Sequence, residues 1–254
     1  MHVIVPMAGF GRRFQEAGYP RLSKPLIPVA GRPMLDWALE CLPKDVEIHF
    51  VVRREMGFGP EGQGDLVHYL ANSMHQKKGA RTNYDYHLVD GATQGAALTV
   101  LAVAVGLPAD APVAVMNADQ VIGDDVAEIT ERALSSQWDG YILTFAGTGP
   151  AWSYAVTNGS DRVVWVVEKK AVSPYATCGF YWWRRADLLV RSVCAMVASG
   201  QRTNNEFYLA PSFNFLPLAD HDVRVVPVRE FHGLGTPEQV QAFEIARAGG
   251  KTGA

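Results

Sequence analysis

Cysteine is scarce in this sequence, and no two cysteines are close together. Cys41, Cys178 and Cys194 are the three in 254 residues. None stands in a CxxC unit, which excludes the simplest zinc or dithiol centres and leaves reduced, mostly buried thiols as the expectation. Charge of one sign is also lacking. The 23 basic and 26 acidic residues leave a formal charge of -3, without the basic excess that tracks a phosphate backbone, so no nucleic-acid partner is expected. No apolar run approaches the ~20 residues that cross a bilayer, and the opening MHVIVPMAGFGRRF meets glycine and arginine too early for a secretory leader. A cytoplasmic protein with no membrane partner is expected. Several catalytic patterns are missing as well. Gly9-Phe10-Gly11 begins a dinucleotide fingerprint, but Phe14 holds the place of its last glycine. There is no GxxxxGK[ST], HExxH or GxSxG, so P-loop, zinc-protease and acyl-hydrolase readings lose their support.

What is present is patterned. With 48% hydrophobic residues, the chain can bury one large α/β core, and no repeat or linker divides it. Val3 to Met7 reads as a buried strand, Val46 to Val52 as a second, Tyr86 to Val89 as a third and Val113 to Met116 as a fourth. Helical spacing lies between them at 33–42, 66–74 and 96–105, and the glycine-rich stretch 54–64 reads as a surface loop. This alternation predicts a Rossmann-like, mixed but mostly parallel central sheet flanked by helices, with the ligand crevice at the carboxyl ends of its strands. The second half predicts a smaller substrate-binding sheet extension, with short strands near 141–145, 153–157, 163–167 and 179–183 and a helix over 188–197. A last helix has Thr236 as cap, Pro237 at its first position and Gln239 closing a capping box, with Val240, Phe243 and Ile245 available for packing.

Several polar residues fall where such a sheet would place a ligand. Gly9 and Gly11 follow the first strand, where backbone amides can approach phosphate, and Arg12 and Arg13 can add forked bonds. A tight strand-to-helix turn explains the glycines equally well. Pro25 holds Lys24 in extended backbone that could aim its ammonium into the crevice, although a solvent lysine is the plainer reading of that residue alone. Asp119 ends the fourth strand, where one carboxylate can start a magnesium site; a turn cap is the alternative. Glu168 and Lys169 close another apolar run and suit hydroxyl and phosphate, or a surface ion pair. Asn204, Asn205 and Glu206 fit helix capping or polyol recognition. The aromatics Trp152, Tyr154, Tyr181, Trp182 and Trp183 are read mainly as core.

In combination, VIVPMAGFGRRFQEAGYPRLSKPLIPVAGRPMLDWALE resembles the signature segment of the sugar-phosphate nucleotidyltransferases, also called NDP-sugar pyrophosphorylases. The likeness continues at Thr93-Gln94-Gly95-Ala96-Ala97, Asn117-Ala118-Asp119-Gln120, Glu168-Lys169, Cys178-Gly179-Phe180-Tyr181 and Gly235-Thr236-Pro237-Glu238. The resemblance implies one domain over 1–254, with a nucleotide-binding part of about 1–125 and an acceptor-binding part of about 126–254. It implies that Met7, Ala8, Gly9, Gly11, Arg12, Gln94, Gly95 and Asn117 receive a nucleoside triphosphate, that Arg13 and Lys24 are catalytic, and that Asp119 coordinates Mg2+. Glu168, Lys169, Gly179, Asn205 and Glu206 would meet a phosphorylated acceptor, a sugar 1-phosphate in the leading reading and a polyol phosphate in the alternative.

One departure stands out. The family commonly has an aspartate two residues before its Gly-Thr-Pro unit, whereas here that place is Gly233 within HGLGTP, a form that resembles one subgroup. Glu230 or His232 is then the nearest candidate for a second magnesium ligand. Gly233 is also the best argument for a catalytically silent nucleotide-binding protein. A closed homo-oligomer is compatible with either reading.

Overall fold

A computed structural model describes residues 1–9, 11–19, 23–54, 65–76 and 83–250. The expected glycine-rich loop falls, from residue 55 to 64, outside the described residues, as do Phe10 and the 251–254 end of the terminal GGKTGA.

The chain folds around a mixed nine-stranded sheet. Its parallel half contains β1 (His2–Pro6), β4 (Glu47–Arg53), β5 (Tyr84–Val89) and β6 (Val113–Met116), in the order β6-β1-β4-β5. Two short strands, β2 (Pro28–Val29) and β3 (Arg32–Pro33), form a separate ribbon. The helices of the first half are α1 (Arg12–Glu16), α2 (Met34–Ala38), α3 (Asp65–Gln76) and α4 (Ala96–Ala104). Val3, Ile4 and Val5 are all fully buried, as expected of a strand covered on both faces. Alternation divides them: Val3 and Val5 join Leu35, Leu39, Leu66 and Leu70 in one cluster, while Ile4 joins Val100 and Val103 of α4 in the other.

The second half adds β7 (Gln120–Ile122), α5 (Val126–Ser135), β8 (Gly140–Ala146), β9 (Ser153–Thr157), β10 (Val163–Glu168), β11 (Tyr175–Trp183), α6 (Ala186–Ser199), β12 (Val223–Pro227), β13 (Phe231–Gly233) and α7 (Pro237–Gly250). The long β11 runs antiparallel to β6 and carries β8 and β9 beyond it, so the sheet changes direction where its two halves meet. Trp182 and Trp183 are fully buried in it, and Trp183 stacks on Phe213 at 4.4 Å. The aromatic residues there are therefore largely core, as the sequence suggests.

Some expectations need correction. The segment expected to be helical over 33–42 is a helix only through Met34–Ala38, followed by a tighter turn at Leu39–Cys41. Cys194 is exposed, unlike Cys41 and Cys178, because it lies on the outer side of α6. Ile245 is 73% exposed; α7 instead buries Val240 and Phe243 in a third cluster with Phe14, Trp37 and Val121. The capping box forms: Gln239 accepts from the Thr236 amide at 3.1 Å and donates its own to the Thr236 hydroxyl at 3.3 Å. Among the described residues, no helix is long and apolar enough to cross a membrane.

Candidate active site

Strands β1 and β6 are parallel neighbours, so the segments leaving their carboxyl ends open onto one crevice. The amide of Met7 extends the ladder to Val51 at 2.8 Å, and the chain then turns through Ala8 and Gly9 to Gly11. Gly11 has φ +65° and opens α1. A Cβ there would stand 3.1 Å from the Cβ of Lys24, so the bare backbone gives the lysine stem its passage.

Lys24 reaches Asp119 through that passage. Its ammonium donates to Asp119 Oδ2 at 2.5 Å and lies 3.4 Å from the Gly235 carbonyl. The two side chains are only 22% and 28% exposed. Asp119 stands between β6 and β7, and its carbonyl accepts the Leu234 amide at 2.7 Å. The pairing of β7 with β13 thus anchors the aspartate from a segment more than a hundred residues away.

Two cavities meet at this pair. The first, about 380 Å³, is bordered by Met7, Ala8, Gly9, Gly95 and Glu206. The second, about 270 Å³, is bordered by Arg13, Glu168, Gly179 and Tyr208. Lys24, Ala96, Asn117 and Asp119 border both. The first volume lies within the range of small-ligand sites, and the shared residues make the two cavities chambers of one crevice.

A backbone contact shapes the first chamber. Gly95 has φ +122°, and a Cβ on it would stand 2.5 Å from the carbonyl oxygen of Phe207 and 2.6 Å from its nitrogen. Phe207 in turn donates to the Gln94 carbonyl at 2.8 Å and accepts from the Ala97 amide at 3.0 Å. This stitch between the two halves carries Glu206 into the chamber expected for nucleotide, away from Glu168 and the second chamber. Thr93 and Thr99 also line it, with their hydroxyls 2.5 Å apart; sequence reasoning passed over Thr99.

Side chains shape the second chamber. Glu168 receives a short hydrogen bond from the Ser153 hydroxyl. Burial pushes its carboxyl above the ordinary range, opposed by that hydrogen bond and by the positive charge of Lys169. Lys169 has φ +57°, and its ammonium donates to the hydroxyl of Tyr208. Gly179, at φ +72°, occupies an irregularity in β11, and any Cβ on it would collide with Asn117 and Gln120. Its carbonyl accepts the Asn117 amide at 2.9 Å.

Other expected residues stand outside both chambers. Gly11, Arg12, Gln94, Lys169 and Asn205 do not border them, and neither do Glu230 and His232, which hydrogen-bond each other at 3.0 Å. Arg13 opens onto the second chamber rather than the first. At Gly233 a Cβ would stand 2.8 Å from Trp152 and 2.9 Å from Gln239. The room an aspartate would need there is filled by those two side chains. Tyr208, Ser153, Trp152 and Gln239 therefore define much of the second chamber; the Gln239 capping box and the aromatic Trp152 were the available sequence signals, and Ser153 and Tyr208 gave none.

No protein-family model matches the chain, and no curated protein matches it. Solved structures do. A nucleoside-diphosphate-sugar pyrophosphorylase from Vibrio cholerae RC9 aligns over 96% of this chain and 99% of its own, at 23% identity and a TM-score of 0.78. A UDP-glucose pyrophosphorylase solved with UDP-glucose aligns over 98% of each chain at 17% identity, with a TM-score of 0.73. HddC from Yersinia pseudotuberculosis, solved with GMP-PN, aligns over 97% and 99% at 16% identity and 0.65. These likenesses establish the fold: a mixed, mostly parallel Rossmann-like sheet flanked by helices, with a smaller sheet extension.

Proposed function

We propose that this chain is a nucleotidyltransferase that moves a nucleoside monophosphate from a nucleoside triphosphate to a sugar 1-phosphate, releasing pyrophosphate. The observation that carries this reading is the joint between the two chambers. Donor and acceptor can each fill one chamber, and the atoms that must meet would then do so beside Lys24 and Asp119. The names of the similar structures agree with this class of reaction for those proteins.

In the proposed reaction an acceptor phosphate oxygen attacks the α-phosphorus, a new P–O bond forms, and the bond to the bridging oxygen of pyrophosphate breaks. The nucleophile is already anionic, so no general base is required and positioning with charge neutralisation dominates. The backbone from Met7 to Gly9 and the Gly95 turn hold the donor. Lys24 neutralises phosphate charge at the joint, and Arg13 reaches the same phosphates from the acceptor side. Glu168 takes acceptor hydroxyls, while Lys169 acts through Tyr208 to orient the acceptor end of the second chamber.

The Asp119 carboxylate and the Gly235 carbonyl are hard oxygens that suit Mg2+ once Lys24, which donates to both here, turns to the phosphates. Magnesium bound there would stabilise charge on the reacting phosphates. Asp119 is the proposed protein ligand, and Gly233 supplies none. That departure favours the second reading, a catalytically silent nucleotide-binding protein. Transfer to a polyol phosphate shares the same joint and differs only in what fills the second chamber.

Pyrophosphate release separates these readings. With magnesium, each nucleoside triphosphate and a panel of sugar and polyol phosphates, release is expected for at least one pair and only when both partners are present. Absence of release in every pair, with triphosphate still bound in a titration, would establish the silent reading.

A further inference from the structure

A second cluster of polar side chains lies at the opposite end of the sheet. His2 begins β1 and Glu47 begins β4, directly opposite it in the parallel register; His49 follows two residues later on the same face. His2 lies about 16 Å along the strand from the crevice loop at Met7, taking ~3.3 Å per residue. The cluster is therefore separate from the proposed catalytic joint.

We propose that His2, Glu47 and His49 form a binding site for a divalent cation of the zinc class. Among the described residues they are the three whose ligand atoms come within 4.8 Å of one another. The His2 Nδ1 to His49 Nε2 distance is 3.0 Å, His2 Nδ1 to Glu47 Oε2 is 3.4 Å, and His49 Nε2 to Glu47 Oε1 is 3.7 Å. Ligands bound tetrahedrally at ~2.0–2.1 Å stand about 3.3–3.4 Å apart. The two ring nitrogens stand close together and each faces a different oxygen of the Glu47 carboxylate, so a small rotation of that carboxylate brings one oxygen to both and closes one face of such a tetrahedron.

The donor chemistry selects the metal. Two imidazoles and one carboxylate suit zinc and its neighbours, whereas magnesium prefers oxygen ligands alone. The cluster is thus a poor home for the magnesium proposed at Asp119. His2 and His49 are largely sheltered, at 16% and 6% side-chain exposure, while Glu47 is 53% exposed. Water can therefore complete the fourth position from the Glu47 side.

The surroundings also orient a ligand. The other ring nitrogen of His49, Nδ1, stands 3.1 Å from His87 Nε2 on β5. With its Nδ1–H donating to His87, His49 presents the lone pair of Nε2 toward His2 and Glu47. In that tautomer His87 is the outer partner of a ligating His49. A bound ion would bridge β1 to β4, with His87 extending the tie to β5, and would pin the amino-terminal strand.

The test uses the full chain after chelator treatment, with zinc uptake followed by equilibrium dialysis and cobalt uptake by visible absorption. One zinc per chain at micromolar free metal, and the spectrum of four-coordinate cobalt, are expected. His87→Phe should weaken binding by about 10-fold, as an outer partner does, and His2→Gln or Glu47→Gln by more. Asp119→Asn should leave zinc uptake unchanged. No uptake by the wild type, or His2→Gln binding as tightly as the wild type, would overturn the site. Loss of uptake in Asp119→Asn alone would do so too, by moving the ion to the crevice. None of these readouts depends on catalysis.

Discussion

The two chambers of the crevice are built in different ways. The first is made mostly from backbone and small residues: Met7, Ala8 and Gly9 after β1, then Thr93, Gly95 and Ala96 leading into α4. The second is lined by polar and aromatic side chains from β9, β10, β11 and the segment around Tyr208, among them Ser153, Glu168, Thr177 and Tyr208. A triphosphate presents the same anionic oxygens whatever its base, so amides and one or two cations recognise it. An acceptor differs in its hydroxyls, and a wall of side chains is the natural place to read them. The comparison predicts that changes at the joint impair both substrates and that changes within one chamber impair one.

The joint should give the largest effect. Lys24→Ala is expected to lower kcat for pyrophosphate release by roughly 1,000-fold, because it removes charge stabilisation where both chambers meet. Arg13→Ala should lower turnover by roughly 100-fold or more, read in the same steady-state assay. Near-normal turnover would remove Arg13 from the catalytic assignment. Its position on the second chamber adds a sharper expectation: the acceptor KM should rise more than the donor KM.

Gly95→Ala tests the first chamber. The new Cβ meets backbone of Phe207 at a φ of +122°, so the chain itself must shift. Destabilisation of about 2–4 kcal/mol is expected by denaturant unfolding, with donor KM rising in whatever protein remains folded. Wild-type stability would mean that the stitch between the two halves is not tight.

Glu168→Gln should have the smallest effect on the fold and a selective effect on function. Acceptor KM should rise by about 10-fold while donor KM is unchanged, since one charge-assisted hydrogen bond is lost. Burial raises the Glu168 carboxyl in the folded protein. A raised carboxyl pKa means the folded state holds the proton more tightly than the unfolded state. Its ionisation therefore costs stability as pH climbs through the unfolded value toward the folded one, and the cost persists above both. The glutamine variant lacks that cost and should be at least as stable as wild type near pH 7, with its advantage shrinking in acid. A variant less stable at pH 7 would mean that the carboxylate's contacts outweigh its desolvation.

The same contrast explains what could be read from the sequence. Features of the first chamber are local: β1, its glycine turn and Lys24 lie within one short segment, and hydrophobic patterning places them directly. The mostly parallel character of the sheet and the position of Asp119 at a strand end follow from the same patterning. Features of the second chamber are pairings across long separations. Ser153 beneath Glu168, Tyr208 beside Lys169 and β13 against β7 have no local signal, because a strand's partner depends on the whole sheet. Glu206 lies in a segment expected to meet acceptor, yet the Phe207 stitch to Gln94 and Ala97 turns it to the first chamber. Helix α5 was legible and was passed over: Asp125 caps it by accepting the Ala127 amide at 2.8 Å, and Glu128 stands in its first turn.

Gly233 shows how a departure in sequence becomes intelligible in space. Read along the chain, it is a missing carboxylate. In the fold, Trp152 and Gln239 occupy the room that a side chain would take, and Gln239 is held there by the amides of Gly235 and Thr236. The absence of a carboxylate at 233 and the packing of Trp152 and Gln239 thus go together, and Asp119 is left as the proposed anchor for magnesium.

In the proposed reaction donor and acceptor meet at Lys24 and Asp119 from opposite sides. A crystal structure of the full chain with magnesium and a non-hydrolysable nucleoside triphosphate tests it most directly. That meeting places the base against the Gly95 turn and the α-phosphate beside Lys24 and Asp119, and leaves the second chamber free of nucleotide. A triphosphate seated between Glu168 and Tyr208, or bound away from Lys24 altogether, would contradict it.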